Sequence, residues 1–335
     1  MLVNVGKLMS HTSTKGGGGV KHPFNPSLVD AWFMSGLSNN DEPTQIVGVK
    51  KNKLQLKSFA YALNSGFGKY TVNWNSFAKT TANANFTNSD SVIHLTEILV
   101  ADGKFLQTNA DGTVEACQIK VEGITDDIKL RYVTYAEDGT GTYTYLKNGI
   151  NNLPISYKKY TGFAASVVGT CNITITQLPS AYEGALVFDG VDDYGICTGL
   201  PILDDYTVVC RRVIENDTNV VASKSIVAGN GAFIFEYANN ATYSFSEYTS
   251  GLNMNLKDSV SYQTKNSYNG SVITVGTAND TDTLTLGIIR EKDSRLLKGA
   301  IYYFALYDKS LTPEEVEEEK VKLENYWEGG KNELA

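Results

Sequence analysis

Ala185-Leu186-Val187-Phe188-Asp189-Gly190-Val191-Asp192-Asp193-Tyr194 and Gly299-Ala300-Ile301-Tyr302-Tyr303-Phe304-Ala305-Leu306-Tyr307-Asp308-Lys309-Ser310-Leu311-Thr312-Pro313-Glu314-Glu315 decide the reading of this chain. In the first stretch Leu186 and Phe188 alternate with Val187, the short period-two pattern of a strand packed on a core. Asp189-Gly190 breaks it, because Gly tolerates positive φ and Asp bonds its own turn backbone. In the second stretch Ile301, Tyr303, Ala305 and Tyr307 are expected on one face, with Tyr302, Phe304 and Leu306 on the other. Both faces are apolar, which predicts a strand buried between two layers. Thr312 reads as a helix N-cap, with Pro313 at the first helical position and Glu315 closing a capping box. The helix is expected to reach about Trp327, with Val316, Leu323 and Trp327 on its apolar stripe, and Gly329-Gly330 to end it.

Over residues 181–328 these segments resemble a laminin-G-like, concanavalin A-like lectin jelly roll of bacterial and phage type. The shared pattern runs from a strand ending in F-D-G-x-D-D to a G-x-I-x-x-x-x-x-Y-x-x-x-L-T-x-E-E exit. The resemblance implies a two-sheet fold that hosts binders, spacers and enzymes alike. Further strands are expected at residues 207–212, 223–227, 233–237, 271–275 and 284–290.

With 335 residues the chain has room for about two domains, each with its own core. Seven prolines against 30 glycines and 20 tyrosines, with few helical runs, point to β-sheet and tight turns. The net charge of −8 and the lack of any basic cluster argue against a nucleic-acid partner. No run of 18 apolar residues suggests membrane insertion. Cys117, Cys171, Cys197 and Cys210 lack metal-type spacing, and Cys171 and Cys210 fall in strands as core thiols.

Three regions follow. Residues 1–45 read as an irregular N-terminal arm, broken by Gly16-Gly17-Gly18-Gly19 and by Pro23, Pro26 and Pro43. Such a segment reads either as a flexible tail or as an extended arm ordered by a partner. Leu2, Val3, Val5, Leu8 and Met9, then Phe24, Leu28, Trp32, Phe33 and Met34, are more apolar than a solvated tail needs, which favours an arm that docks on something. Residues 46–178 read as a β-rich connecting domain. It contains a small antiparallel β-sandwich carried by Ile119, Val121, Ile128, Leu130, Tyr132, Val133 and Tyr135, with turns at Glu137-Asp138-Gly139 and Asn148-Gly149. Residues 179–330 form the jelly-roll domain. The expected fold class is all-β, with one C-terminal α-helix.

Catalytic constellations are absent from the sequence. There is no G-x-S-x-G elbow, His11 and His22 fall in the arm, and His94 stands alone beside a strand. The densest acidic run, Glu314–Glu319, lies on the helix and reads as a solvated face. Asp189, Asp192 and Asp193 share a turn. They read either as turn chemistry or as a structural calcium site, since hard oxygen ligands close in sequence suit that ion. Tyr237, Tyr243, Tyr248, Tyr262 and Tyr268, interleaved with Asn240 and Asn253, read either as ordinary strand residues or as a glycan surface. In the second reading sugar C–H faces stack on Tyr while amides orient hydroxyls.

A wider resemblance covers the whole chain. Asp30-Ala31-Trp32-Phe33-Met34-Ser35-Gly36-Leu37-Ser38-Asn39, Ser65-Gly66-Phe67-Gly68-Lys69-Tyr70, Tyr135-Ala136-Glu137-Asp138-Gly139-Thr140 and Leu146-Lys147-Asn148-Gly149-Ile150-Asn151 precede the F-D-G-x-D-D stretch. This order resembles virion appendage proteins (head fibre, spike or tail fibre) of tailed phages of gut Bacteroides, including the crAss-like group. That resemblance implies a non-enzymatic virion structural protein assembled in the host cytoplasm and displayed on the virion surface. It further implies a homotrimer docked on other virion proteins through the arm, with the lectin-like domain contacting host-surface or mucosal glycans. Met1–Lys15 shows no signal-peptide pattern, in keeping with such a protein. The absence of a sustained heptad fits a short head or collar appendage better than a long tail fibre. The alternatives are a stand-alone bacterial carbohydrate-binding module and, third, a glycoside hydrolase, for which no strand offers paired acids.

Overall fold

The computed structural model describes residues 22–216, 219–227, 230–238, 240–289 and 295–329. The chain is all-β with one C-terminal helix, as its strand-forming composition predicts. The exit strand Lys298–Tyr307 is the hub of an eight-stranded antiparallel sheet. Thr207–Ile214 pairs along one side of it. Along the other side Ala181–Asp189 pairs with its first half and Leu28–Phe33 with its second. The second sheet runs in the order Gln45–Val47, Lys53–Lys57, Tyr194–Cys197, Leu284–Leu286, Val220–Val227, Asn230–Tyr237, Ala241–Ser244, Glu247–Thr249. Trp32, Phe188, Val208, Phe304 and Leu306 from the first sheet meet Leu54, Val221, Phe233, Phe235 and Leu286 from the second. That shared core makes an outer sandwich.

The buried exit strand was legible, but its facing was not. Arg211 pairs with Tyr303 and Arg212 with Ile301, so the strand carries a bulge at Tyr302. The bulge turns Ile301 into the core beside Phe304 and Leu306, while Tyr302 joins Tyr303, Ala305 and Tyr307 on the helix side. The helix Pro313–Glu328 has the expected Thr312 cap and Glu315 capping box, and it buries Val316 and Leu323 on that face. Arg211 fastens the helix end. Its guanidinium lies 4.5 Å from the Tyr302 ring centre and 4.6 Å from that of Trp327, and it pairs with Asp258 and Glu324 at 2.8 and 2.9 Å.

The domain boundaries differ from those expected at 45/46 and 178/179. Of the docking arm, residues 1–21 lie outside the described residues. Leu28–Phe33 is a strand of the outer sandwich, with Trp32 and Met34 fully buried. What Leu28, Trp32, Phe33 and Met34 dock on is therefore the chain's own exit strand. Asp30 is buried beside them, accepting from the backbone N–H groups of Ala31, Lys50 and Asn52 at 2.8–2.9 Å. Gly48 leaves room for it, since a Cβ there would stand 2.2 Å from Asp30 Oδ1.

Gly66–Lys69 also belongs to the first sheet, pairing Lys69 with Ala181. The chain thus leaves and re-enters the outer sandwich at one point, and Ser180 N donates to Lys69 O at 2.7 Å. Between these ends lies a second sandwich. One sheet runs Gly141–Tyr145, Leu130–Tyr135, Gly162–Ala165, Lys104–Gln107, Ala78–Lys79; the other runs Gly149–Leu153, Cys117–Glu122, Gly169–Gln177, Val92–Ile98, Ala84–Asn88. Its core holds Trp74, Ile93, Phe105, Ile119, Val121, Tyr132, Phe163 and Ile175. Gln177 closes its base, donating to Val72 O at 2.6 Å and accepting from Val72 N at 3.1 Å. The four cysteines are free, with Cys197 and Cys210 buried as apolar core groups.

Candidate glycan-contact surface

Strand alternation in Asn230–Tyr237 sends Phe233 and Phe235 into the core and Ile234 out. Alternation would then send Glu236 outward and Tyr237 inward. Glu236 instead takes φ +53°, with a register shift between Ile234 and Tyr237. This bulge buries Glu236 and brings Tyr237 to the outer face with Ile234. Tyr243 lies opposite Ile234 on the next strand, and Tyr248 lies opposite Tyr243 on the edge strand.

Three of the expected tyrosines therefore converge. Tyr237 meets Tyr243 and Tyr248 edge-on, with ring centres 5.3 and 6.4 Å apart, and Tyr243 and Tyr248 lie tilted at 5.0 Å. Val220, Ile234 and Ile289 back Tyr237 and Tyr243 from below. Arg295, which the sequence reading missed, sets its guanidinium 4.6 Å from the Tyr237 ring centre. Tyr248 is 44% exposed, with Tyr237 and Tyr243 half-buried. Burial, aided by the neighbouring Tyr237 and Tyr248 hydroxyls, pushes the Tyr243 hydroxyl up. Asn240 and Asn253 are exposed near the end of this surface, where Leu252 N donates to Asn240 O at 2.9 Å.

Two expected members do not belong. Tyr262 sits on the opposite sheet, 9% exposed, with the Lys320 ammonium 4.8 Å from its ring centre. Tyr268 is 1% exposed and donates from its hydroxyl to Glu236 Oε1 at 2.7 Å. A buried ring offers no face to a sugar, so both are packing residues. Sequence spacing could not separate them from the trio, because strand tyrosines read alike until sheet order is known.

Two buried carboxylates inside the outer sandwich are paired with buried cations. Arg212 reaches across from the first sheet to grip Glu236 with two guanidinium nitrogens, both side chains fully buried, and also donates to Ser259 and Ser261 at 2.7 and 2.9 Å. Lys224 pairs with Asp280 and donates to Pro201 O at 3.0 Å, again with no exposure. Asp280 further accepts from Leu203 N at 2.8 Å. Neither carboxylate stands free beside a second one, the arrangement glycoside hydrolysis uses.

The Asp189, Asp192 and Asp193 carboxylates lie within 4.8 Å of one another. Asp193 is buried and accepts from Ser65 Oγ at 2.9 Å and Asp189 N at 3.0 Å, while Asp189 Oδ1 accepts from Val191 N at 2.7 Å. The cluster is therefore a turn lock, tying the F-D-G-x-D-D turn to the chain near Gly66. A calcium ion would find further oxygens on Asp189 and Asp192, both only partly engaged. Burial first, then the two neighbouring aspartates, push the Asp193 carboxyl up to about 7. A folded-state pKa raised from 3.8 favours the native state below about pH 4, and that stability is lost as pH rises through about 7. In metal-free protein this group's own contribution is therefore expected to fall by on the order of 2–4 kcal/mol between those limits, and Asp193→Asn to remove that component from the profile. Thermal melts at stepped pH check this; a wild-type profile parallel to that of the variant contradicts it.

No family model and no curated protein matches this chain. Among solved structures, Trypanosoma rangeli sialidase in complex with the inhibitor DANA aligns over 81% of this chain and 67% of its own, at 9% identity and a TM-score of 0.26. So low a score carries no argument about either fold or activity.

Proposed function

We propose that this chain is a non-catalytic virion appendage subunit of a tailed phage, whose outer sandwich is a concanavalin A-like jelly roll that contacts host-surface or mucosal glycans. The observation that carries the glycan reading is the convergence of Tyr237, Tyr243 and Tyr248 on one outer face with Arg295 beside them. Ring edges and faces of this kind stack on sugar C–H groups, while the exposed Asn240 and Asn253 supply amides. The appendage and homotrimer readings rest on the motif order given above.

A glycan array tests the binding claim. Wild type is expected to retain a subset of glycans, and Tyr248→Ala to weaken retention at least tenfold while melting within about 0.5 kcal/mol of wild type, as exposed sites do. A variant that binds unchanged sinks the assignment. Light scattering distinguishes an appendage, which should run as a trimer, from a monomeric stand-alone binding module. Calcium on the aspartate turn is part of the same proposal, and a titration giving neither heat nor thermal shift removes it.

A further inference from the structure

We propose that the inserted sandwich carries a second binding surface, for acidic polysaccharide, on the outer face of the sheet that contains Gly141–Tyr145 and Leu130–Tyr135. Register places Tyr143 opposite Val133 and Tyr145 opposite Arg131, with Ala164 on the far side of Arg131 and Lys104 beyond it. Tyr143 is 57% exposed, Tyr145 62% and Tyr160 45%, although the sandwich has an apolar core in which such rings would bury. Three cations lie among them. Arg131 is 4.7 Å from the Tyr143 ring centre, Lys104 is 5.0 and 5.6 Å from those of Tyr135 and Tyr160, and Lys159 is 5.2 Å from that of Tyr160.

Small and apolar residues form the floor. Ala164 and Val133 are covered by the longer side chains around them, and Gly162 lies so close to the neighbouring strand that a Cβ would stand 2.0 Å from Leu106 O. The result is a shallow aromatic platform rimmed by positive charge, in a chain whose net charge is −8. Asp102 neutralises Arg131 at 2.9 Å, and Asp111 accepts from the Lys159 backbone at 2.9 Å. Among the described residues neither Lys104 nor Lys159 forms a side-chain ion pair; Lys104 donates to the Tyr135 hydroxyl at 2.8 Å, which leaves two of its three N–H groups, and the Lys159 ammonium, for an incoming anion.

Flat rings suit the C–H faces of pyranose units, and spaced ammonium groups suit carboxylates repeated along a uronate chain. An acidic peptide would meet the same charges but has no pyranose faces to lay on the exposed Tyr143, Tyr145 and Tyr160 rings. This surface does not depend on the Tyr237 patch, which lies in the other sandwich.

Affinity electrophoresis of the full chain in polygalacturonate, in a neutral β-glucan and in polyglutamate tests the proposal. Retardation is expected in polygalacturonate alone, weakening as salt rises because exposed charges are screened. Tyr143→Ala with Tyr145→Ala should cut retardation at least tenfold. Lys104→Gln with Lys159→Gln should cut it and remove most of the salt dependence. Tyr237→Ala with Tyr248→Ala should leave it intact. Melting curves check folding, and the exposed Lys159→Glu serves as a second variant should the tyrosine pair unfold. No retardation in polygalacturonate, equal retardation in the neutral glucan, retardation in polyglutamate instead, or loss through the Tyr237 and Tyr248 changes would each overturn it.

Discussion

Glu236→Gln is expected to lower the unfolding free energy by about 3–5 kcal/mol, because it strands a buried guanidinium. Arg212 has no exposure to water, and its other partners, Ser259 and Ser261, are neutral. The loss compares with a total stability of about 5–15 kcal/mol for an ordinary domain, so the variant should sit near its unfolding threshold at 37 °C. Arg212→Met combined with Glu236→Met should recover most of the loss, since replacing both charges by apolar groups removes the uncompensated one. Urea unfolding of the single and double variants measures this. Equal loss in single and double variants would mean that the pair acts through packing instead of charge.

A fragment beginning at residue 179 is expected not to fold. It lacks the strand Leu28–Phe33, which pairs with half of the exit strand, and it lacks Trp32, Leu54 and Phe67, which are 0–4% exposed in the outer core. Losing a buried Trp side chain alone costs about 3–5 kcal/mol. By contrast, deleting residues 71–179 and joining Tyr70 to Ser180 should leave a cooperative unit, because Lys69 and Ala181 are already paired partners. Circular dichroism melts and amide proton dispersion of the two products check the pair of expectations. A well-dispersed, cooperatively melting 179–335 fragment would contradict the nested architecture.

Local chemistry was readable wherever it depended on neighbours in sequence. The Thr312 cap and Glu315 capping box, the doubly buried exit strand and the Asp189-Gly190 turn all follow from residue type and spacing. Long-range pairing was not readable in the same way. Leu28, Trp32 and Phe33 announced that they dock, but nothing in their spacing names a strand some 270 residues later as the partner. Bulges were the second blind spot. At Tyr302 and Glu236 one extra residue flips every side chain beyond it to the other face, and no turn residue marks either place. The candidate site suffered from both limits. Three of five tyrosines share a face because of the Glu236 bulge and the order of three strands, while Tyr262 and Tyr268 carry the same sequence signal and lie buried. Arg295, distant in sequence and unremarkable in composition, joins them only through the fold.

Isothermal titration of the full chain with a glycan retained on the array, run beside Tyr237→Ala with Tyr248→Ala, tests the central claim most directly. The account predicts saturable heat for the wild type and at least a tenfold weaker affinity for the variant, with both proteins melting cooperatively. Identical isotherms from the two proteins would contradict it.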